Sequence, residues 1–269
     1  MKLSISNILW TKGEDQFPNF LKHCATIGFS GVELALSCFW EEPTHATKKQ
    51  IQNLKEQIDF FQLEISALHS LTFTREDLEL FGPAIKRYEL LEYSKRYIEI
   101  AEELNCQNIV FGSPKSRKMN GKSKAECDDI FLDFLRDIDI VSANTYVNIE
   151  PLNVSTCDYL NTFDDILILL KKETFKNIKI QLDVRTFIEN VEALEILDLN
   201  FQYVHHCQVS DPGLNLPSSE FSEYHAKTSE ILKKNGYSGF VAGEILNRDR
   251  LDDKLFLKSA YDSLIQYYG

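Results

Sequence analysis

Two hydrophobic periods alternate along the whole chain: short stretches that repeat every second residue, and longer ones that repeat every three or four. Residues 3–8 alternate apolar and polar and predict a first strand. Phe17, Phe20, Leu21, Cys24 and Ile27 then keep helical spacing, with Gly28 as the stop. Residues 31–34 predict a second strand, the stripe Ile51, Leu54, Ile58 and Phe61 a second helix, and Glu64–His69 a third strand followed by a longer loop over 70–82. Leu90, Leu91, Ser94, Tyr97, Ile98, Ala101 and Leu104 mark a third helix, Asn108–Phe111 a fourth strand, and Ile130, Phe131, Phe134, Leu135, Ile138 and Val141 a fourth helix. In the fifth strand Val147 and Ile149 alternate with Asn148 and Glu150, and Pro151 stops the ladder by removing a donor. A helix over Phe163–Leu170, a strand over Ile178–Asp183 and a short helix over 191–197 follow. The pattern then gives a strand over 201–209, a helix over 225–235 stopped by Gly236, a strand over 239–244 and a last helix over Asp253–Tyr268.

Strand then helix, eight times over, implies a parallel sheet. Eight such units in 269 residues have the size of a closed (β/α)8 TIM barrel, expected as a single domain over residues 1–269. A doubly wound open sheet is the competing architecture. It is disfavoured because neither GxGxxG nor GxxxxGK[ST] follows the first strand.

Three strands end in an acid: Glu150 before Pro151, Asp183 at the end of IKIQLD and Glu244 at the end of GFVAGE. The stretch VHHCQVSD, residues 204–211, is polar at the same end. In a closed parallel sheet these ends converge. Any one of the acids alone reads as a solvated loop carboxylate. Together in a low dielectric they repel, and a cation, shared protons or basic partners must offset that. Lys115 and Arg117 follow the fourth strand and are expected to rim the same mouth, where they suit an anionic substrate group or simply a solvated basic loop. His69 ends the third strand and is a candidate to bind a substrate hydroxyl or to be a satisfied barrel histidine. Asn153 and Arg185, two or three residues beyond the acids, are further candidates for substrate contact. Trp10 is a candidate apolar wall for a ligand or a packing residue, and His225 is expected to be a cap or surface residue.

Composition narrows the partners. A formal net charge of −12 and a sequence pI near 5.0 oppose nucleic-acid binding, which needs a basic footprint, and favour a small-molecule ligand. The six cysteines form no CxxC pair, so a zinc ribbon or redox motif is disfavoured and free, mostly buried thiols are expected. No apolar run approaches a membrane span, and residues 1–10 lack the apolar core and cleavage site of a signal peptide, so a cytoplasmic location is expected.

Taken in order, GFSGVEL, NIVFGSPKSR, VNIEPLN, IQLD, QVSDP and GYSGFVAGE resemble the xylose-isomerase-like TIM barrel superfamily, and within it the sugar phosphate isomerase/epimerase branch. The resemblance spans essentially the whole chain. It implies one divalent metal at the carboxyl-end mouth, bound by a Glu, an Asp, a His and a Glu after strands five to eight. Carried over, these are Glu150, Asp183, position 208 and Glu244. Position 208 departs from the pattern: the family's His-x-His-x-x-Asp reads His206-Cys207-Gln208-Val209-Ser210-Asp211, which puts Gln208 where imidazole is expected. His206 shares a face with Gln208 but lies roughly 6.6 Å deeper, at about 3.3 Å per residue, and would need a strand bulge to reach the same ion. By the same alternation His205 should face the helices. Two Glu, one Asp and a Gln oxygen suit Mn²⁺ or Mg²⁺ better than Zn²⁺.

The implied activity is a metal-dependent sugar, sugar-phosphate or sugar-acid isomerization or epimerization. Glu150 and Glu244 would move a proton through an enediolate, with either one the base. The alternative is a degenerate, metal-free barrel that binds a sugar or a partner. An endonuclease of the same superfamily fold is disfavoured by six histidines, Gln208 and the acidic charge. A homodimer is compatible with the sequence.

Overall fold

Eight strands pair in chain order and close on themselves in the computed structural model, which describes residues 1–10, 16–248 and 252–269. They are β1 (Lys2–Ser6), β2 (Gly31–Ala35), β3 (Glu64–His69), β4 (Asn108–Phe111), β5 (Tyr146–Ile149), β6 (Ile178–Asp183), β7 (Val204–Val209) and β8 (Phe240–Gly243). All eight pairings are parallel, including β8 with β1, so this is a (β/α)8 TIM barrel. Around it run α1 (Phe17–Ile27), α2 (Lys48–Phe60), α3 (Ala84–Glu103), α4 (Lys124–Val141), α5 (Phe163–Leu170), α6 (Val184–Glu189), α7 (Glu195–Leu199), α8 (Ser222–Lys234) and α9 (Asp253–Tyr268). No described helix is long and apolar enough to cross a membrane.

Local chemistry sets the boundaries. Capping boxes start α2 (Thr47 with Gln50), α4 (Ser123 with Glu126) and α5 (Thr162 with Asp165). Gly28 ends α1 at φ 119°, where a side chain would be strained and a Cβ would lie 2.8 Å from the Tyr261 hydroxyl. Three expectations need correction. The first strand stops at Ser6, because the Ser6 hydroxyl accepts from Ile8 N (3.3 Å) and starts a 3-10 turn over Asn7–Leu9. The single helix expected over 191–197 is two short ones, because Asp183 caps α6 directly from the end of β6. His225 is neither cap nor surface: it is buried within α8 between Asp211 (2.7 Å) and the Tyr268 hydroxyl (2.9 Å).

The apolar core lies between strands and helices, while the barrel's inside is polar. Ser4, Ser6, Glu33, Ser66, Asn108, Asn148, Gln181, His206 and Gln208 are all buried. Side-chain contacts between strands that are not neighbours place several of them inside: His206 meets Glu33 of β2, and His205 meets Asn108 of β4 (2.7 Å) and stacks on Tyr146 of β5. His205 therefore points inward, not toward the helices. Between the pairs Ile180↔Val204 and Leu182↔Cys207, β6 advances two residues and β7 three. That extra residue breaks the alternation and lets consecutive histidines share the interior.

One short-range feature gives a pH dependence. Glu192, after α6, accepts from Phe163 N at the head of α5 (2.9 Å), and its pKa is pushed up to about 7, first by burial and then by Asp165 and Asp164. A carboxyl raised in the folded state favours folding when protonated. Its contribution is complete below about pH 4, near the unfolded pKa, and is lost as pH rises through about 7. Glu192→Gln should remove that loss, so urea midpoints of variant and wild type should draw apart as pH rises from about 4 to about 7 and keep a constant gap above it, with the variant the more stable.

Candidate active site

The mouth at the carboxyl end gathers the three acids. Glu150 directly follows β5, and it fits because residue 112 is glycine: a Cβ there would lie 1.9 Å from Glu150 Oε2. Asp183 is the last residue of β6. Glu244 directly follows β8, its backbone N bonded to Val209 O (3.1 Å). One carboxylate oxygen from each lies within 4.8 Å of the other two. Arg185 reaches into the same point, with Nη2 2.9 Å from Asp183 Oδ2, 3.6 Å from Glu150 Oε1 and 3.7 Å from Glu244 Oε2. Asp183 is fixed further by Arg185 N (3.0 Å) and the Thr186 hydroxyl (2.9 Å), which both donate to it. Burial, then Glu244 and Asp183, push the Glu150 carboxyl well above the usual carboxylate range, and burial also raises Asp183. Burial acts to raise Glu244 too, but the His69 hydrogen bond and the charges of Arg185 and His69 outweigh it and leave it lowered.

Beneath the acids sits a residue that the sequence did not mark out. Glu33 of β2 is fully buried and serves as a hub. His206 Nε2 donates to its Oε2 (2.6 Å), and Gln208 Nε2 donates to its Oε1. Since the nitrogen of Gln208 must face that carboxylate, its oxygen faces the other way and accepts from Gln181 Nε2 (3.2 Å). Both ends of the Gln208 amide are thus engaged below the three acids. The bulge of β7 does not carry His206 to them either; it goes to Glu33. His69 links the tiers: Nε2 meets the Ser6 hydroxyl at 2.7 Å, and Nδ1 lies 3.4 Å from Glu244 Oε1 and 3.7 Å from Glu33 Oε1. Burial acts to lower the His69 pKa, but Glu33 and Glu244 more than reverse it.

Of the expected basic rim, Lys115 is at the mouth and Arg117 is not. Arg117 is fully buried, and its guanidinium donates to the carbonyls of Phe111, Gly112, Glu150, Tyr159 and Leu160 at 2.7–3.4 Å. It is a tie between the loops after β4 and β5. Lys115 does line the mouth but is exposed and paired with Glu76. Asn153 lines it with its amide on Glu189 Oε2 (2.8 Å), and Trp10 is buried against Phe20. The cavity over the acids holds about 310 Å³. A larger recess of about 790 Å³ opens at the barrel's other end beside Lys2, Asn108 and His205, away from all three acids. The carboxyl end is where barrel chemistry is built.

The three acids suit a hard divalent cation: their oxygens are close together, and Glu244 Oε2 is buried with no hydrogen-bond partner. Gln208 lines the same cavity with its nitrogen on Glu33 and its oxygen on Gln181.

The pattern of the xylose isomerase-like TIM barrel family matches residues 21–264. The chain belongs to that family. No curated protein matches it significantly in sequence. Among solved structures of the same fold, 3-keto-D-glucoside 4-epimerase YcjR from E. coli superposes with a TM-score of 0.78 at 20% identity, covering 99% of this chain and 98% of that one. D-psicose 3-epimerase from Clostridium cellulolyticum H10, solved with D-tagatose, gives 0.83 at 16% identity, covering 99% and 98%. The IolI protein with a bound zinc atom gives 0.78 at 16% identity, covering 100% and 98%. At these identities the likeness speaks for the fold that this family member shares with them.

Arg117→Met should orphan several buried carbonyls and lower stability by about 3 kcal/mol or more. Lys115→Met should change it by less than about 0.5 kcal/mol. Urea unfolding of both variants checks the contrast, and equal losses would remove the distinction drawn between the two side chains.

Proposed function

We propose that the protein is a sugar isomerase or epimerase that moves a proton on a carbon beside a carbonyl, with Glu150 and Glu244 as the proton-transfer groups. The observation that carries the reading is the meeting of three acids from β5, β6 and β8 at one point. Family membership supports it, as do the sugar epimerases among the structures of like fold. Glu150 and Glu244 enter the mouth from strands three places apart, so a sugar between them presents a different face to each. One takes the proton and the enediolate forms. The other returns a proton to the opposite face and the centre inverts; return to the neighbouring carbon isomerizes instead. Asp183, fixed by Arg185 and Thr186, keeps the cluster rigid. His69 holds Glu244 in place and faces the cavity with Ser70.

Glu150, Asp183 and Glu244 would hold the divalent ion, which when bound supplies a Lewis acid for the carbonyl and neighbouring hydroxyl oxygens. An all-carboxylate set favours Mn²⁺ or Mg²⁺ over Zn²⁺. A second reading, a metal-free sugar-binding barrel, draws on one observation: the Arg185 guanidinium already stands among the three acids.

Two measurements test this. Glu150→Gln and Glu244→Gln should each cut deuterium uptake from D₂O into a ketose by about 10²–10⁴-fold, and uptake at the wild-type rate in either would rule out the proposed role. Mn²⁺ binding, followed by its paramagnetic resonance signal, should weaken about tenfold or more in Asp183→Asn and only a few-fold in Gln208→Leu. No Mn²⁺ uptake by the wild-type protein would favour the second reading.

A further inference from the structure

The barrel mouth has two lobes, and Glu150 and Arg185 line only one of them. That first lobe, about 310 Å³, is lined by Glu150, Glu244, His69 and Arg185. The second, about 500 Å³, is walled by Trp10, Phe17, Phe39, Phe73, Leu214 and Leu246. Glu244, Ser70 and Phe73 line both, so the lobes are continuous at one of the proton-transfer carboxylates. Phe73, 74% exposed, stands at the seam. The second lobe offers few free polar groups. The Asn7 amide is taken up by the backbone of Ala35 (2.7 and 3.3 Å), and the Ser70 hydroxyl lies 3.3 Å from His69 Nδ1. Glu244 is the one charged residue among its described lining residues. Nor does the first lobe hold an unpaired cation among the described residues, since Arg185 faces three acids and Lys115 pairs with Glu76. In the second lobe a phosphate or carboxylate would meet Glu244 with no cation beside it among the described lining residues. An apolar group would be desolvated by aromatic walls.

We propose that the second lobe binds the apolar aglycone of a glycoside, so that the substrate is an uncharged sugar carrying an aryl or alkyl group. This rests on the isomerase or epimerase reading above and names its substrate class. A chemical consequence follows. An aglycone locks the anomeric carbon as an acetal, so that carbon cannot open to a carbonyl. Proton removal therefore needs a ketone elsewhere on the ring, and the reaction that supplies the substrate must be an oxidation of a ring hydroxyl of the glycoside. The step at this site is itself redox-neutral. The C–H bond beside the ketone breaks, its proton goes to one glutamate, and its electron pair passes into the enolate. A new C–H bond then forms with a proton from the other glutamate.

The test separates binding from turnover. The wild-type protein is titrated by calorimetry with sugar-matched phenyl and methyl glycosides, the free sugar and its 6-phosphate. In parallel, deuterium uptake from D₂O is measured on D-fructose and on ring-ketone phenyl and methyl glucosides. The phenyl glycosides should bind roughly tenfold or more tighter than the methyl ones. That preference should shrink in Phe73→Ala, whose side chain is largely exposed, so folding is not at risk. It should shrink again when Cys38, the exposed thiol of this lobe, is alkylated with N-ethylmaleimide, and Cys38→Ser should be immune to that treatment. Equal affinity for phenyl and methyl glycosides, no binding of either, or tighter binding of the sugar phosphate would overturn the proposal. A phenyl preference with no deuterium uptake into any sugar would keep the lobe's assignment and remove the isomerase or epimerase reading. Uptake into D-fructose with no phenyl preference would do the reverse.

Discussion

A carboxylate taken out of water needs a partner, and this barrel takes four of them into one interior. Glu33, Glu150, Asp183 and Glu244 lie in two tiers along the barrel axis, and each tier has its own means of offsetting the charge. The upper tier has Arg185, one of whose terminal nitrogens, Nη2, is within 3.7 Å of all three acids. The lower tier has neutral and imidazole donors, Gln208 and His206, aimed at Glu33. His69 stands between, close to an oxygen of each tier. A barrel interior of this kind is commonly filled with branched apolar side chains in layers. Here it is a hydrogen-bond network, and its stability depends on the whole network being satisfied at once.

This network explains which parts of the site were legible in the sequence. Glu150, Asp183 and Glu244 each end a strand whose alternation is plain and whose stop is local: a proline, a helix cap, a glycine before the acid. Position in the chain then fixes position in the barrel. Glu33 carries no such mark. It is one acid within a five-residue strand, and only the closure of the barrel brings β7 across from β2 to make it a hub. Arg117 shows the opposite failure. Its place after β4 was readable, but the direction of its side chain was set by five carbonyls on two loops that no local pattern reveals. The bulge in β7 belongs to the same class: one extra residue against β6 reverses the facing of His205, and register is a property of the pair of strands.

Gln208 stands where the resemblance leads one to expect a histidine, and the network holds it at both ends of its amide. Imidazole and amide side chains are both neutral donors and acceptors, so either can stand between Glu33 and the upper tier. The amide must turn its nitrogen toward Glu33, and geometry then leaves its oxygen to Gln181 on the neighbouring strand. Both ends of the amide are thus bonded to Glu33 and Gln181.

A neutral amide there does nothing for the charge of the upper tier. Three carboxylates against one guanidinium leave two formal negative charges unbalanced if all are ionised, and burial first, with the neighbouring acids adding to it, raises the Glu150 and Asp183 carboxyls. Protonation can settle it, and so can one divalent ion. Arg185 therefore does not stand in for an ion by charge, since it offsets only one of the three acids. Its hydrogen bond to Asp183 (2.9 Å) is shorter than its approaches to Glu150 and Glu244, so its main hold is on the acid next to it in the chain. The buried, unpartnered oxygen of Glu244 is the acceptor this leaves over, and it lies at the junction of the two lobes of the mouth. The electrostatic demand of the cluster and the shape of the cavity thus meet at the same residue.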